Sequence, residues 1–252
     1  MLTNKNPEST WFGTEKVTPT QKTDKVLGVF SSVAAHYDRM NDLMSMGLHR
    51  VWKDRFVRLV APKPGQRIID VAGGTGDIAF RLHRRADGAA HITVCDINPD
   101  MLAVGQDRAI DRGILSNISW AQGNAERLDF DDAQFDAYTI AFGLRNVTHI
   151  DAALADARRV LKPGGRFFCL EFSQVQDRVL DAAYQLWSRY AIPEIGALVA
   201  HDRDSYQYLV ESIRAFPTQE QLTRRLKAAG FDAVRHVNVA GGIAAIHIAD
   251  KY

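Results

Sequence analysis

Between residues 66 and 172, short apolar runs alternate with segments whose apolar residues recur at helical spacing, and this alternation limits the fold more than any other feature. The runs are rich in β-branched and aromatic residues, which is typical of buried strands. Strands that alternate with helices form βαβ units, and these build a mostly parallel sheet covered on both faces. The predicted strands cover residues 67–72, 91–96, 118–122, 135–142 and 166–172, and the predicted helices lie near 78–85, near 99–112 and from an N-cap at Thr148 to about 161.

The last part of the chain follows a different pattern. The sequence Thr218–Gln221 is a capping box, which predicts the start of a helix that Gly230 would end. Two strand-like runs, 231–239 and 243–249, follow with Gly241–Gly242 between them, and two glycines at such a place are typical of an antiparallel hairpin. We therefore predict an α/β protein with a mostly parallel seven-stranded sheet that ends in an antiparallel hairpin, unlike the all-parallel dinucleotide-binding sheet.

The first 64 residues are predicted to form an arm and a helical cap ahead of a main domain that covers residues 65–252. Residues 1–24 are rich in Thr, Lys, Asn and Pro, and we expect a mobile arm with Trp11–Gly13 as one docking point. A Pro- and Gly-containing linker at 61–65 follows the cap. The cap should hold two amphipathic helices, one with an apolar face of Val26, Val29, Phe30, Val33, Tyr37 and Met40, and one over residues 48–60 with an apolar face of Val51, Trp52, Phe56 and Leu59.

Composition and charge exclude several classes of protein. The chain is 46% hydrophobic and 24% charged, as a folded globular protein is, and 31 basic against 30 acidic residues give no general electrostatic reason to bind nucleic acid. The N-terminus has no apolar signal core, and Cys95 and Cys169 lie in apolar runs where buried, reduced thiols are expected. We therefore expect a cytoplasmic protein without a nucleic acid partner and, since the cysteines lack a zinc-type spacing, without a metal.

The strongest local signal is the segment Asp70–Asp77, DVAGGTGD, which joins the first predicted strand to the first predicted helix. Gly73, Gly74 and Gly76 would let the backbone turn tightly and approach a ligand, and the helix N-terminus adds N–H donors. Asp96 ends the second strand 20 residues after Gly76, where its carboxylate can accept hydrogen bonds from both hydroxyls of a ribose. These features suit NAD and S-adenosylmethionine equally.

Three further features favour S-adenosylmethionine. Asp70 at the start of the loop would repel a pyrophosphate, but it can orient the loop or accept a hydrogen bond from a ligand ammonium. The turn Gly123–Glu126 follows the third strand, where adenine would lie, and Asn124 can read a base edge there. The segment Leu161–Gly165 precedes the fifth strand. We interpret the group as an S-adenosylmethionine site.

Four segments carry motifs that together are more specific than a glycine loop. They are Val29–Ser45, with the sequence VFSSVAAHYDRMNDLMS, Asp70–Asp77, Ala141–Val147, with the sequence AFGLRNV, and Leu170–Ser173, with the sequence LEFS. These motifs resemble those of the UbiE/Coq5 family, the C-methyltransferases of ubiquinone and menaquinone synthesis. The resemblance extends from about Phe12 to Tyr252.

The resemblance implies a class I S-adenosylmethionine-dependent methyltransferase fold, which is Rossmann-like. It implies methyl transfer to a ring carbon of a polyprenylated benzoquinol of the 2-polyprenyl-6-methoxy-1,4-benzoquinol type, of demethylmenaquinol, or of both. Thr75, Asp96, Asn124 and Ala125 match cofactor positions of the family. Ala141 stands where family members often have a cofactor-contacting Ser, so a hydroxyl contact is excluded there.

The reaction that the resemblance implies requires a phenol to ionise, because an aromatic carbon is a poor nucleophile until a neighbouring hydroxyl loses its proton. Arg145 could stabilise the phenolate or orient a water, and Asn146 could hold that water or a ring oxygen, since both follow the fourth strand at the edge where α/β ligands bind. Tyr37 of the cap is a third catalytic candidate, and His49 a further base. A structural Arg145, a Tyr37 that only extends its helix face and a surface His49 stay open as alternatives.

The substrate tail and the partners are less constrained. The Met-rich turn Met40–Met46 can adapt to a prenyl chain, and a helix over 179–190 can line the substrate cavity or rest on a membrane. A homodimer, a quinone-synthesis complex and peripheral contact with the inner face of the membrane all stay open. So do three other functions: a methyltransferase for another small molecule, a non-catalytic scaffold subunit of a quinone-synthesis complex, and an NAD oxidoreductase.

Overall fold

The protein is an α/β structure with sixteen named helices and strands in the part of the chain that the computed structural model describes, residues 9–13, 15–33, 42, 47–175 and 203–252. The strands are β1 (Thr10–Phe12), β2 (Glu15–Val17), β3 (Arg67–Val71), β4 (His91–Asp96), β5 (Ile118–Gln122), β6 (Phe135–Ala141), β7 (Leu161–Phe172), β8 (Asp232–Val239) and β9 (Ala244–Asp250). The helices are α1 (Pro19–Val33), α2 (Leu48–Val60), α3 (Asp77–Arg85), α4 (Pro99–Asp111), α5 (Ile150–Val160), α6 (Arg203–Ala215) and α7 (Gln219–Ala228).

Seven of the strands form one sheet in the order β5-β4-β3-β6-β7-β9-β8. The strands from β5 to β7 are parallel, whereas β9 runs antiparallel to both β7 and β8. This confirms the predicted mostly parallel sheet with a C-terminal antiparallel hairpin. The strand order reverses between β3 and β6, so a crevice opens there at the carboxyl ends of the strands, where α/β proteins bind ligands.

The two faces of the sheet have separate cores. Adjacent residues of β3, Ile68 and Ile69, point to opposite faces and belong to different clusters of buried side chains. The first cluster lies under α2 and α3, and the second lies under α5 and α7. Cys95 and Cys169 are buried free thiols, as predicted. Among the described residues, no helix is long and apolar enough to cross a membrane.

The boundaries of α5 and β7 differ from the prediction. The N-cap of α5 is His149 and not Thr148, because the carboxylate of Glu126 accepts hydrogen bonds from the backbone N–H groups of both residues, each at 3.0 Å. Strand β7 begins at Leu161, which pairs with Phe135, and an irregularity in β6 after Phe135 accommodates the extra residues before Arg166 pairs with Ala137.

The C-terminal elements match the prediction except at the hairpin turn. Thr218 and Gln221 form both hydrogen bonds of the capping box, and α7 is followed by Gly230 in a left-handed conformation. The connection between β8 and β9 is a 3-10 turn over Ala240–Gly242, longer than the predicted two-glycine turn. Residues 240–243 separate Val239, the last residue of β8, from Ala244, the first residue of β9.

The part of the predicted arm that the structure describes, residues 9–13 and 15–24, forms regular secondary structure. Strands β1 and β2 form a small antiparallel hairpin, and α1 begins at Pro19. Trp11–Gly13 does act as a docking segment, because the Phe12 ring stacks on Tyr208 of α6 with centroids 4.2 Å apart and planes 11° apart. Trp11 itself stays 58% exposed.

Helix α2 has the predicted bounds and packs on the sheet. Trp52 and Phe56 are buried and meet Phe172 and Phe168 edge to face. Val51 does not belong to the buried face of α2 as predicted, since its side chain is 59% exposed. The buried face instead consists of His49, Trp52, Lys53, Phe56, Val57 and Val60. The predicted division into residues 1–64 and 65–252 stays a prediction.

Candidate active site

A cavity lies at the carboxyl ends of β3, β4 and β6 and is covered by α1. Its floor is the loop that follows β3, its far wall is the turn after β5, and Val26 and Phe30 of α1 close it from above. The lining includes Asn146 and every predicted cofactor residue except Gly76.

The glycine loop has a backbone conformation and internal packing that require glycine. Gly76 has φ of +80°, and a Cβ at this position would lie 2.7 Å from the Trp120 ring. A Cβ at Gly73 would lie 2.8 Å from the carbonyl oxygen of Asp70. Gly74 donates its backbone N–H to Asp96, and Thr75 is buried with its hydroxyl accepting a hydrogen bond from Arg108 at 2.8 Å. The loop is therefore fixed from both sides.

Asp96 is buried at the end of β4 with its carboxylate facing the loop. Oδ2 accepts from the Gly74 N–H at 2.8 Å and Oδ1 accepts from the Asn98 N–H at 2.9 Å. Burial raises the pKa of this carboxyl, and the backbone hydrogen bonds oppose the shift. A carboxylate has about four acceptor directions, so the carboxylate can still accept hydrogen bonds from ribose hydroxyls.

Asp70 is buried below the loop with one oxygen lacking a partner. Oδ1 accepts from the Thr139 hydroxyl at 2.7 Å, whereas Oδ2 has no hydrogen-bond partner in the described part of the chain. Burial raises the pKa of this carboxyl to about 7. An ammonium group in the cavity would stabilise the charged form, so Asp70 fits the amino group of S-adenosylmethionine.

The turn after β5, residues 123–126, forms the far wall of the cavity. The Asn124 side-chain oxygen accepts from the Glu126 N–H at 2.9 Å, which leaves its amide nitrogen as the group that can donate to a base edge. Ala125 is buried beside it, and Ala141 lines the opposite wall without a hydroxyl.

Arg145 lies behind the cavity wall and does not line it. Its guanidinium is fully buried, with Nη1 donating to Glu171 Oε1 at 2.7 Å and to the carbonyl oxygen of Phe142 at 2.6 Å. Burial raises the pKa of Glu171, and the charge of Arg145 opposes that shift. Glu171 and the Phe142 carbonyl hold the guanidinium in the core, away from the residues that line the cavity, and the contact with a phenolate that we predicted for Arg145 stays a prediction. The sequence signal for Glu171 was its position as the charged residue of the apolar run 167–172.

Asn146 is the predicted catalytic residue that the structure brings to the cavity. It ends the 3-10 turn Leu144–Asn146, and its Oδ1 accepts from the Tyr208 hydroxyl at 3.1 Å. Burial raises the pKa of Tyr208 to about 12, so this hydroxyl stays protonated and donates. Tyr208 carries no local sequence signal for this role.

Three sequence predictions lie outside the described residues. They concern Tyr37, the Met40–Met46 turn apart from Asp42, and the helix over 179–190.

Lys53 and Asp77 form a charged pair in the cavity that the sequence reasoning missed. The Lys53 side chain is 4% exposed, and its Nζ lies 2.9 Å from Asp77 Oδ2. Burial alone would raise the pKa of Asp77, but Lys53 and Arg81 beside it hold that pKa at about 2. A lysine between Trp52 and Phe56 on the buried face of α2 was the available signal.

His49 is not the surface residue that one alternative expected. Its ring is buried, and Nε2 lies 2.8 Å from Asp42 Oδ1. Burial and the nearby charge of Lys53 lower the pKa of the imidazole. The interaction with Asp42 gives one polar atom of the buried ring a partner.

Solved structures show the same fold. An S-adenosylmethionine-dependent methyltransferase from Thermotoga maritima superposes with a TM-score of 0.64 at 16% identity, over 90% of this chain and 100% of that chain. One from Aquifex aeolicus superposes with a TM-score of 0.59 at 15% identity, over 94% and 100%. The predicted methyltransferase fold is confirmed.

Sequence relatives define the family. The chain is 54% identical over 238 residues to a ubiquinone/menaquinone biosynthesis C-methyltransferase UbiE from Brucella anthropi, with 94% of this chain and 90% of the relative covered. It is 55% identical to the protein of the same name from Brucella abortus, with 94% and 88% covered. Residues 18–251 match the model of the ubiE/COQ5 methyltransferase family. The chain therefore belongs to the ubiE/COQ5 methyltransferase family.

Proposed function

We propose that this chain methylates a ring carbon of a polyprenylated benzoquinol, of demethylmenaquinol, or of both, in ubiquinone and menaquinone biosynthesis. The names of the Brucella relatives support this reaction. The observation that carries the proposal is a single cavity that joins Asp96 and the glycine loop to the side chain of Asn146.

The cofactor role falls to the residues around the loop. S-adenosylmethionine, when bound, supplies a methyl group on a positively charged sulfur. Asp96 accepts from the ribose hydroxyls, and the backbone of Gly73–Gly76 with Thr75 forms the floor. Asp70 faces the amino group, while Asn124 and Ala125 flank the adenine. The proposal includes no metal.

Asn146 acts on the quinol oxygen. Because Tyr208 occupies its Oδ1, the amide nitrogen is the group that Asn146 can present to a ring oxygen. An N–H donor at that oxygen stabilises negative charge as the hydroxyl gives its proton to solvent, and the ionised ring is the better carbon nucleophile. The reduced quinol is therefore the substrate, since a quinone ring is electron-poor and has no hydroxyl to ionise.

Arg145 acts as a positioning residue. It spans from Glu171 on β7 to the carbonyl of Phe142, directly before the turn that carries Asn146. The ion pair thereby fixes the turn against the sheet. A direct catalytic role for Arg145, and any role for Tyr37, stay predictions.

The setting of the enzyme is proposed on chemical grounds. A polyprenyl quinol partitions into a membrane, so we propose a cytoplasmic protein that contacts the inner face of the membrane peripherally. Residues 1–64 would serve as the arm and cap over the site. Sedimentation with lipid vesicles tests the contact, and light scattering distinguishes a homodimer from a monomer.

The purified chain provides the test. It is incubated with S-adenosylmethionine and short-tailed analogues of the benzoquinol and of demethylmenaquinol, kept reduced by dithionite. We expect a product one methyl group heavier, with the new methyl on a ring carbon by NMR, and none from the oxidised quinones. An O-methylated product contradicts the proposal. Cofactor binding without turnover on either quinol favours the scaffold alternative.

A further inference from the structure

We infer that Lys53 holds the α-carboxylate of the methionine portion of S-adenosylmethionine, so that the amino-acid end of the cofactor is selected by charge. The inference rests on the proposed function, because it assumes that this cofactor binds in the cavity. It assigns a role to a buried ammonium that the methyl-transfer chemistry above does not use.

The charges that line the cavity are strongly unequal. Four carboxylates, those of Asp70, Asp77, Asp96 and Glu126, line it, and among the described residues Lys53 is the one cationic side chain that does. The cofactor carries a sulfonium, an ammonium and a carboxylate. The acidic lining suits its two positive groups, but it repels a carboxylate everywhere except beside Lys53. Charge alone therefore places the carboxylate at that end.

The position of Lys53 agrees with the order of the strands. Asp96 ends β4, whereas Lys53 Nζ lies 5.9 Å from the centre of the Phe142 ring, which follows β6. Strand β3 lies between β4 and β6, so the carboxyl ends of those two strands are separated by roughly 10 Å in the sheet direction. A nucleoside that is bound at Asp96 and the turn after β5 would extend its amino-acid chain over β3 toward Lys53.

Asp77 does not use up the hydrogen-bonding capacity of the ammonium. An ammonium has three donors, and a buried one needs acceptors for them. Asp77 is shared, because its Oδ1 also accepts from Arg81 Nε at 3.1 Å. The buried ammonium of Lys53 therefore shares its carboxylate partner with Arg81 and has donors left for a second anionic partner.

Asp70 supplies the complementary half of the site. Its unpartnered Oδ2 lies beneath Gly73, 3.0 Å from the place of a Cβ there, and its charge interacts with that of Lys53. A carboxylate and an ammonium at one end of a cavity match the zwitterion of an amino acid. Lys53 thus recognises the group that distinguishes S-adenosylmethionine from its decarboxylated form.

The experiment measures ligand affinity by calorimetry on the full chain and on Lys53→Met. The ligands are S-adenosylmethionine and S-adenosylhomocysteine, which carry the carboxylate, and decarboxylated S-adenosylmethionine and 5′-methylthioadenosine, which lack it. We expect the first two to bind about 10- to 100-fold more weakly to the variant, as for the loss of a charged hydrogen bond. The affinities of the other two should change less than about 3-fold on the same scale.

Three controls isolate the effect. Arg55→Met removes an exposed cation from the same helix and should leave all four affinities unchanged. Lys53→Arg keeps the charge and should recover part of the affinity. If Lys53→Met is unstable because Asp77 is left with one partner fewer, the double variant Lys53→Met with Asp77→Asn removes both charges and should show the same selective loss.

The possible results separate the hypotheses. An equal loss for all four ligands overturns the inference, because Lys53 would then only support the cavity. Unchanged affinities with slower methyl transfer also overturn it and assign Lys53 to the phenol. A wild-type chain that binds none of the ligands refutes the proposed function itself, which is a distinct outcome.

Discussion

Tyr208→Phe tests how the amide of Asn146, which we propose acts on the quinol oxygen, is positioned. The change removes a hydroxyl that lies 3.1 Å from Asn146 Oδ1, but it keeps the ring that stacks on Phe12 at 4.2 Å. The lost hydrogen bond should lower the free energy of unfolding by about 1 kcal/mol. Asn146 keeps its donor but loses its fixed orientation, so we expect the rate of methyl transfer to fall about 10-fold, less than the 10²–10³ expected when a donor is removed outright.

Single-turnover methyl transfer and calorimetric binding of S-adenosylmethionine provide the two readouts. Cofactor affinity should not change, because Tyr208 does not line the cavity. Phe12→Leu is the matched control, since it weakens the stacking and leaves the hydroxyl, so it should lower stability and spare the rate. A full rate in Tyr208→Phe, or a rate in Phe12→Leu that falls as far, would refute the positioning role.

Three further predictions concern binding and stability. Asp96→Ala should weaken S-adenosylmethionine binding by about 5- to 150-fold in calorimetry, with Asp96→Glu milder, and NADH should not bind the wild type. Glu171→Ala should lower the free energy of unfolding in urea by about 3–5 kcal/mol, because it leaves Arg145 buried without its carboxylate. The double variant with Arg145→Met should lose less stability than the sum of the two single changes, and strict additivity would argue against the ion pair. Burial lowers the pKa of His247 to about 4, so the unfolded chain binds a proton near pH 6.5 that the folded chain does not. The free energy of unfolding should therefore fall by about 2–3 kcal/mol as the pH drops from about 6.5 to 4. In denaturant titrations, His247→Gln should remove that part of the pH dependence.

The sheet could be predicted because its signals are local. Strands such as His91–Asp96 are apolar runs between polar turns, and their bounds follow from composition alone. The capping box at Thr218 is likewise contained in four residues. The start of α5 at His149 could not be predicted, because Glu126, which accepts from the backbone N–H groups of Thr148 and His149, lies 22 residues before Thr148.

The same distinction between local and distant signals separates the site residues that could be predicted from those that could not. The glycine loop and Asp96 are readable because conformation and strand ends follow from short sequence patterns. The partners that decide roles are distant in sequence: Glu171 is 26 residues from Arg145, and Tyr208 is 62 residues from Asn146. Sequence spacing shows that Arg145 follows a strand, but it does not show that a buried carboxylate on a neighbouring strand pairs with the guanidinium.

Quinone analysis in cells that lack this protein tests the central claim most directly. The quinones are extracted and separated, and their masses are measured by mass spectrometry. The same measurement is made on deleted cells that carry the wild-type gene or the gene for the Asp96→Ala form. We expect a benzoquinol or naphthoquinol precursor that lacks one ring methyl to accumulate, and only the wild type to restore the methylated quinone fully. An unchanged quinone profile in the deleted cells, or full restoration by Asp96→Ala, would contradict a methyl transfer that depends on this cofactor site.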